Sequence, residues 1–134
     1  MNPSTIITFS RGFIDYSWEL EYNYYNRTNW YNDFTAPFLP TPNPPDSLEA
    51  PFFLRNSNLP MENIVEAIDN LEIGLTPFID FFGDPGQYVS EYMAYHGTWY
   101  RDLNQFSNEN CISAGHIHVG GYIEVETARI ATEE

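Results

Sequence analysis

The chain has no lysine, one cysteine and no apolar run long enough to cross a bilayer, and each absence closes off a class of function. Five arginines carry all of the side-chain positive charge against 19 Asp and Glu, for a formal net charge of −14. Such a surface repels phosphate backbones, so no nucleic acid is expected as a partner. An acid-rich, lysine-free composition fits a high-salt cytoplasm and the bias of one lineage equally well. The lone Cys111 rules out an internal disulfide and any all-cysteine metal cluster. No stretch reaches the roughly 18 apolar residues of a membrane span, so no membrane association is expected. The opening MNPSTIITFS has no basic segment followed by an apolar stretch and a cleavage site. A cytoplasmic location is therefore expected, with the sequon Asn26-Arg27-Thr28 unused.

What is present is enough for a core. Hydrophobic residues make up 43% and aromatics 17% of 134 residues, which suits one domain spanning 1–134. STIITFS (4–10) reads as a buried strand, and the aromatic and polar stretch after it as strands or a hairpin with irregular loops. Residues 36–47 hold five prolines and read as extended loop, because proline disrupts both regular elements. In PMENIVEAIDNLEIG, Pro60 suits a first helical position. Met61, Ile64, Val65, Ile68 and Leu71 form one apolar stripe, and Gly74 ends the helix. LTPFIDFF (75–82) reads as a second buried strand. Asp84-Pro85-Gly86-Gln87 has the pattern of a capping box for a helix that buries Val89, Tyr92, Met93, Trp99 and Leu103. NENCISA leads into a third strand, GHIHVG (115–120), and IEVETARIATEE reads as a final helix. Alternating strands and helices imply an α/β layered domain with a largely parallel sheet. Ligands of such sheets bind beyond the carboxyl ends of the strands, a crevice that Ser90 and His118 could share.

A hydrolytic triad needs a nucleophile, an imidazole and a carboxylate that fixes the imidazole tautomer. The residues available are Ser90, His118 and either Glu19 or Glu21. Each has a plainer reading: Ser90 as a small polar helix residue, His118 as a strand histidine satisfied by a carbonyl. His116 and His118, two apart on a strand, share a face and could hold a metal ion with Glu124 or Glu126 as third ligand, although pairs this short are common by chance.

The order of these motifs resembles the pyroglutamyl peptidase I family of cysteine peptidases. The family's turn, aromatic residue and catalytic cysteine are matched by Pro85-Gly86, Tyr88 and Ser90. Its strand motif with the catalytic histidine is matched by AGHIHV, at His118. Its Glu followed by Asn five residues later is matched by Glu21 and Asn26 in LEYNYYN, and the opening NPSTIITFSRG resembles the strand before that Glu. The resemblance implies a three-layer α/β/α sandwich of the phosphorylase/hydrolase type with a truncated, mostly parallel sheet. It implies removal of N-terminal pyroglutamate from peptides by Ser90, His118 and Glu21, with Tyr88 as a wall for the substrate ring and no metal or organic cofactor.

Two departures set the alternative. Serine stands where the family has cysteine, and a hydroxyl is far less acidic than a thiol. The family's N-terminal strand, with the loop that supplies aromatic walls, has no counterpart here. Loss of first strands leaves an open sheet edge, so a homo-oligomer or a partner chain covering that edge is expected. Two functions follow: a hydrolase of pyroglutamyl peptides or small amides, or an inactive homologue serving as a binding or self-assembling subunit.

Overall fold

The computed structural model describes residues 3–32, 35–36, 38–39, 44–107 and 110–134. Of the proline-rich stretch expected to be loop, residues 37 and 40–43 lie outside this set. In chain order the elements are β1 (Thr5–Arg11), β2 (Ser17–Glu21), β3 (Asn23–Tyr25), β4 (Leu54–Asn56), α1 (Met61–Asn70), β5 (Thr76–Asp80), α2 (Val89–Asn104), β6 (Ser113–Val119) and α3 (Val125–Glu133).

Four strands form a sheet in the order β1-β6-β2-β5, and β3 pairs with β4 as an antiparallel two-stranded ladder. β1 runs parallel to β6 and β5 parallel to β2, but β2 and β6 are antiparallel. The sheet is thus mixed and mostly parallel, with α1 and α3 on one face and α2 on the other.

Side-chain alternation along the strands separates those faces. Trp18 and Leu20 of β2 and Ile117 of β6 join Ile68 of α1 and Ala131 of α3 in the main apolar core. The helical stripe behind this is the expected one: Met61 and Ile68 are buried, and Ile64, Val65 and Leu71 pack against them. Pro60 sits at the N-cap, one place before the expected position, and Gly74 takes a φ of +80°, which few residues other than glycine adopt. Residues of opposite parity, Ser17, Glu19 and Glu21 of β2 with His116 and His118 of β6, face the α2 side. Gly97 of α2 lies against Ile6 there, and a Cβ at this position would come within 3.2 Å of the Ile6 side chain.

Two expectations about α2 are overturned. Its N-cap is Tyr88, with no side-chain cap, rather than Asp84. Asp84 instead accepts a hydrogen bond from Gly86 N (2.8 Å) and pairs with Arg27. The buried face carries Glu91, Ala94, Tyr95, Thr98 and Arg101, while Leu103 is 66% exposed and Val89, Tyr92, Met93 and Trp99 are half-buried. The spacing is helical, but the stripe that turns inward is largely polar because the sheet face beneath it is polar.

Candidate active site

β2 and β6 run antiparallel with Glu19 opposite His118 and Glu21 opposite His116, which brings two carboxylates and two imidazoles onto one patch of sheet. His118 Nδ1 lies 2.9 Å from Glu21 Oε1 and 3.6 Å from Glu19 Oε2. A carboxylate cannot donate, so Nδ1 carries the proton and Glu21 fixes the tautomer. No described residue bonds the other ring nitrogen, Nε2. This is the arrangement of an acid–base imidazole oriented by a carboxylate. Glu21 is 2% exposed, and its Oε2 is buried without a hydrogen-bond partner among the described residues.

Burial alone would lower the His118 pKa. The hydrogen bonds and charges of Glu19 and Glu21 outweigh it and push the imidazole up to about 9. Burial pushes the Glu21 carboxyl up, against the pull of His118.

His116 does not join this pair. Its Nδ1 lies 2.7 Å from Thr8 Oγ1 and its Nε2 2.9 Å from Ser10 Oγ, so both nitrogens are taken by hydroxyls of β1. Burial, then the neighbouring His118, lowers its pKa to about 3 and keeps it neutral. The alternative in which His116 and His118 share a metal ion with Glu124 or Glu126 is therefore not assembled. Glu124 and Glu126 are exposed, and Glu126 pairs with Arg129 on its own helix. Tyr24 braces the patch: its hydroxyl donates to Glu21 O (2.5 Å) and accepts from His116 N (2.9 Å).

Ser90 is the second residue of α2, and its Oγ donates to Pro85 O at 3.1 Å. No hydrogen bond joins Ser90 to His118. Because β6 runs antiparallel to β2 and β5, the carboxyl ends of β5 and β6 lie at opposite ends of the sheet, so a common carboxyl-end position is not what would bring Ser90 and His118 together. Tyr88, next to Ser90, is 42% exposed with its ring 5.5 Å from that of Tyr31. Asn26 is remote from the imidazole in its bonding. Its Nδ2 donates to Asp46 O (2.7 Å), Ala50 O and Glu49 O, and its Oδ1 accepts from Asp46 N, clamping the 46–50 loop. Cys111 is buried, with Sγ 3.8 Å from Ser113 O.

One group beside Ser90 was missed in the sequence. Arg27 Nε donates to Glu91 Oε2, and Arg27 also pairs with Asp84 at 2.6 Å. Glu91 Oε1 accepts from Tyr25 N (2.8 Å). Burial, opposed by Arg27 and the Tyr25 amide, raises the Glu91 carboxyl to about 7. This cluster ties the end of β3 to the turn and first helical turn that carry Ser90. Asn23 fixes the other side of the turn by donating to Phe81 O and Gly83 O. The available signal was Glu91, Ala94, Tyr95 and Thr98 at spacings of three and four on one helix face.

Fold and site together describe a mixed-sheet α/β protein with a buried histidine–carboxylate pair under a helix. No family model matches the chain, and no curated protein matches it. Solved structures do. A pyrrolidone carboxyl peptidase from Thermococcus litoralis superposes with a TM-score of 0.69 at 16% identity, over 88% of this chain and 49% of that one. A mutant pyrrolidone carboxyl peptidase from the hyperthermophile Pyrococcus furiosus gives 0.71 at 17%, over 98% and 68%. The pyroglutamyl peptidase I of Bacillus amyloliquefaciens gives 0.69 at 17%, over 88% and 52%. At these identities the likeness establishes the fold. The chain spans about half the length of the Thermococcus and Bacillus enzymes.

Proposed function

We propose that the chain is a pyroglutamyl-peptidase-like hydrolase acting as one domain on N-terminal pyroglutamyl peptides or related small amides. The observation that carries this reading is the buried Glu21–His118 pair, with Nδ1 held and Nε2 left to the substrate side. In the proposed reaction Ser90 Oγ leaves Pro85 O and gives its proton to Nε2 as it attacks the pyroglutamyl carbonyl. Free N–H groups in the first turn of α2 receive the oxyanion. His118 then protonates the departing amine, and water, activated by the same imidazole, releases pyroglutamate. Tyr88 forms a wall for the lactam ring. An imidazole with a pKa of about 9 is mostly protonated at neutrality, so the rate should rise with pH up to that value.

A second reading is favoured by the bond from Ser90 to Pro85 and the lack of one to His118: an inactive homologue that binds or self-assembles. Under either reading, self-association or a partner chain along β1 is supported by its place at the end of the sheet and by its exposed Ile7 and Phe9. Sedimentation showing a monomer at micromolar concentration would count against it. Among the described residues no helix is long and apolar enough to cross a membrane.

Hydrolysis of a fluorogenic pyroglutamyl amide by wild type, Ser90→Cys and His118→Ala tests the reading. Wild-type turnover lost in His118→Ala supports a serine hydrolase. Turnover in Ser90→Cys alone means an intact cleft with a disabled nucleophile. Silence from all three overturns the hydrolase reading in favour of the second.

A further inference from the structure

The carboxylate pair on His118 exceeds what orienting an imidazole requires. One carboxylate fixes a tautomer, yet Glu19 and Glu21 both converge on the same Nδ1. One donor atom from each of Glu19, Glu21 and His118 lies within 4.8 Å of the other two. Glu21 also keeps a second oxygen, Oε2, buried with no hydrogen-bond partner among the described residues. Among the described residues the one cationic group paired with these two carboxylates is the His118 imidazole. No described arginine pairs with either glutamate. Arg27 is held by Asp84 and Glu91, Arg55 by Asp46 and Asp102, and Arg101 by Asp102.

We propose that Glu19, Glu21 and His118 form a binding site for a divalent transition-metal ion, with Zn²⁺ as the best-matched cation. Two carboxylate oxygens and one imidazole nitrogen make a three-ligand set with room for water in the fourth position. Donors about 2.1 Å from a tetrahedral ion stand about 3.4 Å apart, and the separations of 2.9 Å and 3.6 Å from His118 Nδ1 to Glu21 and Glu19 bracket that value. The ion enters as the proton on His118 Nδ1 leaves, and Glu21 Oε2 gains the partner it lacks. Access exists, since the side chains of His118 and Glu19 are 11% and 12% exposed. Magnesium suits the site poorly because it prefers six oxygen ligands and retains its waters. The site does not depend on hydrolysis. If the chain is a hydrolase, the ion inhibits it, because an imidazole metallated at Nδ1 keeps its proton on Nε2 and cannot accept one from Ser90.

Calorimetric titration of the full, chelator-treated chain with zinc chloride tests this without any activity readout. The expected result is one equivalent bound with a Kd in the micromolar range, about −8 kcal/mol. Glu19→Gln should weaken binding at least about tenfold, as loss of a metal-site group does. His118→Ala should abolish it, and Glu126→Gln on the exposed face of α3 should leave it unchanged. Cobalt(II) bound to wild type should show the visible bands of a low-coordinate N/O site, absent from His118→Ala. Circular dichroism checks that each variant is folded; Glu19→Gln, which keeps the side chain's size, carries the test should His118→Ala unfold. Absence of saturable zinc binding overturns the proposal. So does binding that survives in Glu19→Gln and His118→Ala but is lost in His96→Gln or Cys111→Ser.

Discussion

The two faces of β2 and β6 are built from the same two strands by opposite rules. On the α1–α3 face, Trp18, Leu20 and Ile117 are close-packed hydrocarbon and aromatic surface. On the α2 face, Ser17, Glu19, Glu21, His116 and His118 are equally buried but polar, and nearly every one is satisfied by a named partner. The first face gains its stability from removing apolar area from water. The second recovers the desolvation of its polar groups through hydrogen bonds and ion pairs, at best breaking even. A fold that keeps such a face gains chemistry from it rather than stability.

That contrast can be broken from either side. Leu20→Ala should cost the most, about 4 kcal/mol, because the residue is fully buried at the centre of the apolar face. Chemical denaturation would show it as a lower midpoint with an unchanged slope. Glu91→Ala should cost about 3 kcal/mol by leaving Arg27 buried with only Asp84. It should also loosen the turn before Ser90, which amide exchange at Gly86–Ser90 would report.

The polar face should also make stability depend on pH. His118 has a folded pKa above its ordinary 6.5, so its contribution is complete below 6.5 and is lost as pH rises to about 9. Glu91, raised from 4.5 to about 7, likewise loses stability with rising pH, but across that lower window. His116, lowered to about 3, acts in the other direction: its contribution is present above 6.5 and is lost as pH falls. Thermal melts of wild type and His118→Gln should therefore diverge between pH 6.5 and 9. The smallest effect belongs to Leu103→Gln, within about 0.5 kcal/mol of wild type, because that side chain faces solvent.

Much of this was legible in the sequence where one element decides the outcome. The stripe of α1 and the final helix depend on local periodicity and appear as read. The runs 4–10 and 75–82 are strands, but β1 and β5 stand at the two ends of the sheet and are half-exposed rather than buried. The order of motifs named Glu21 and His118, and the two side chains lie 2.9 Å apart. What was not legible depends on pairing between distant strands. The antiparallel register of β2 and β6 sets Glu19 beside His118 and separates the carboxyl ends of β5 and β6. Likewise, α2 reads as a helix with an apolar stripe until the sheet beneath it is known to be polar. Glu91 and Arg101 then turn inward and Leu103 outward. The capping-box pattern at Asp84 failed for a similar reason, since Arg27, far away in sequence, takes up that carboxylate.

The carboxylates of β2 hold the buried His118 imidazole charged, and proton NMR titration of His118 measures that directly. Comparison with His118→Gln assigns the resonance. The account predicts a titration midpoint near 9 in wild type, moving down in Glu21→Gln as one of the two carboxylates is neutralised. A midpoint at or below the ordinary 6.5, unchanged by Glu21→Gln, would contradict it.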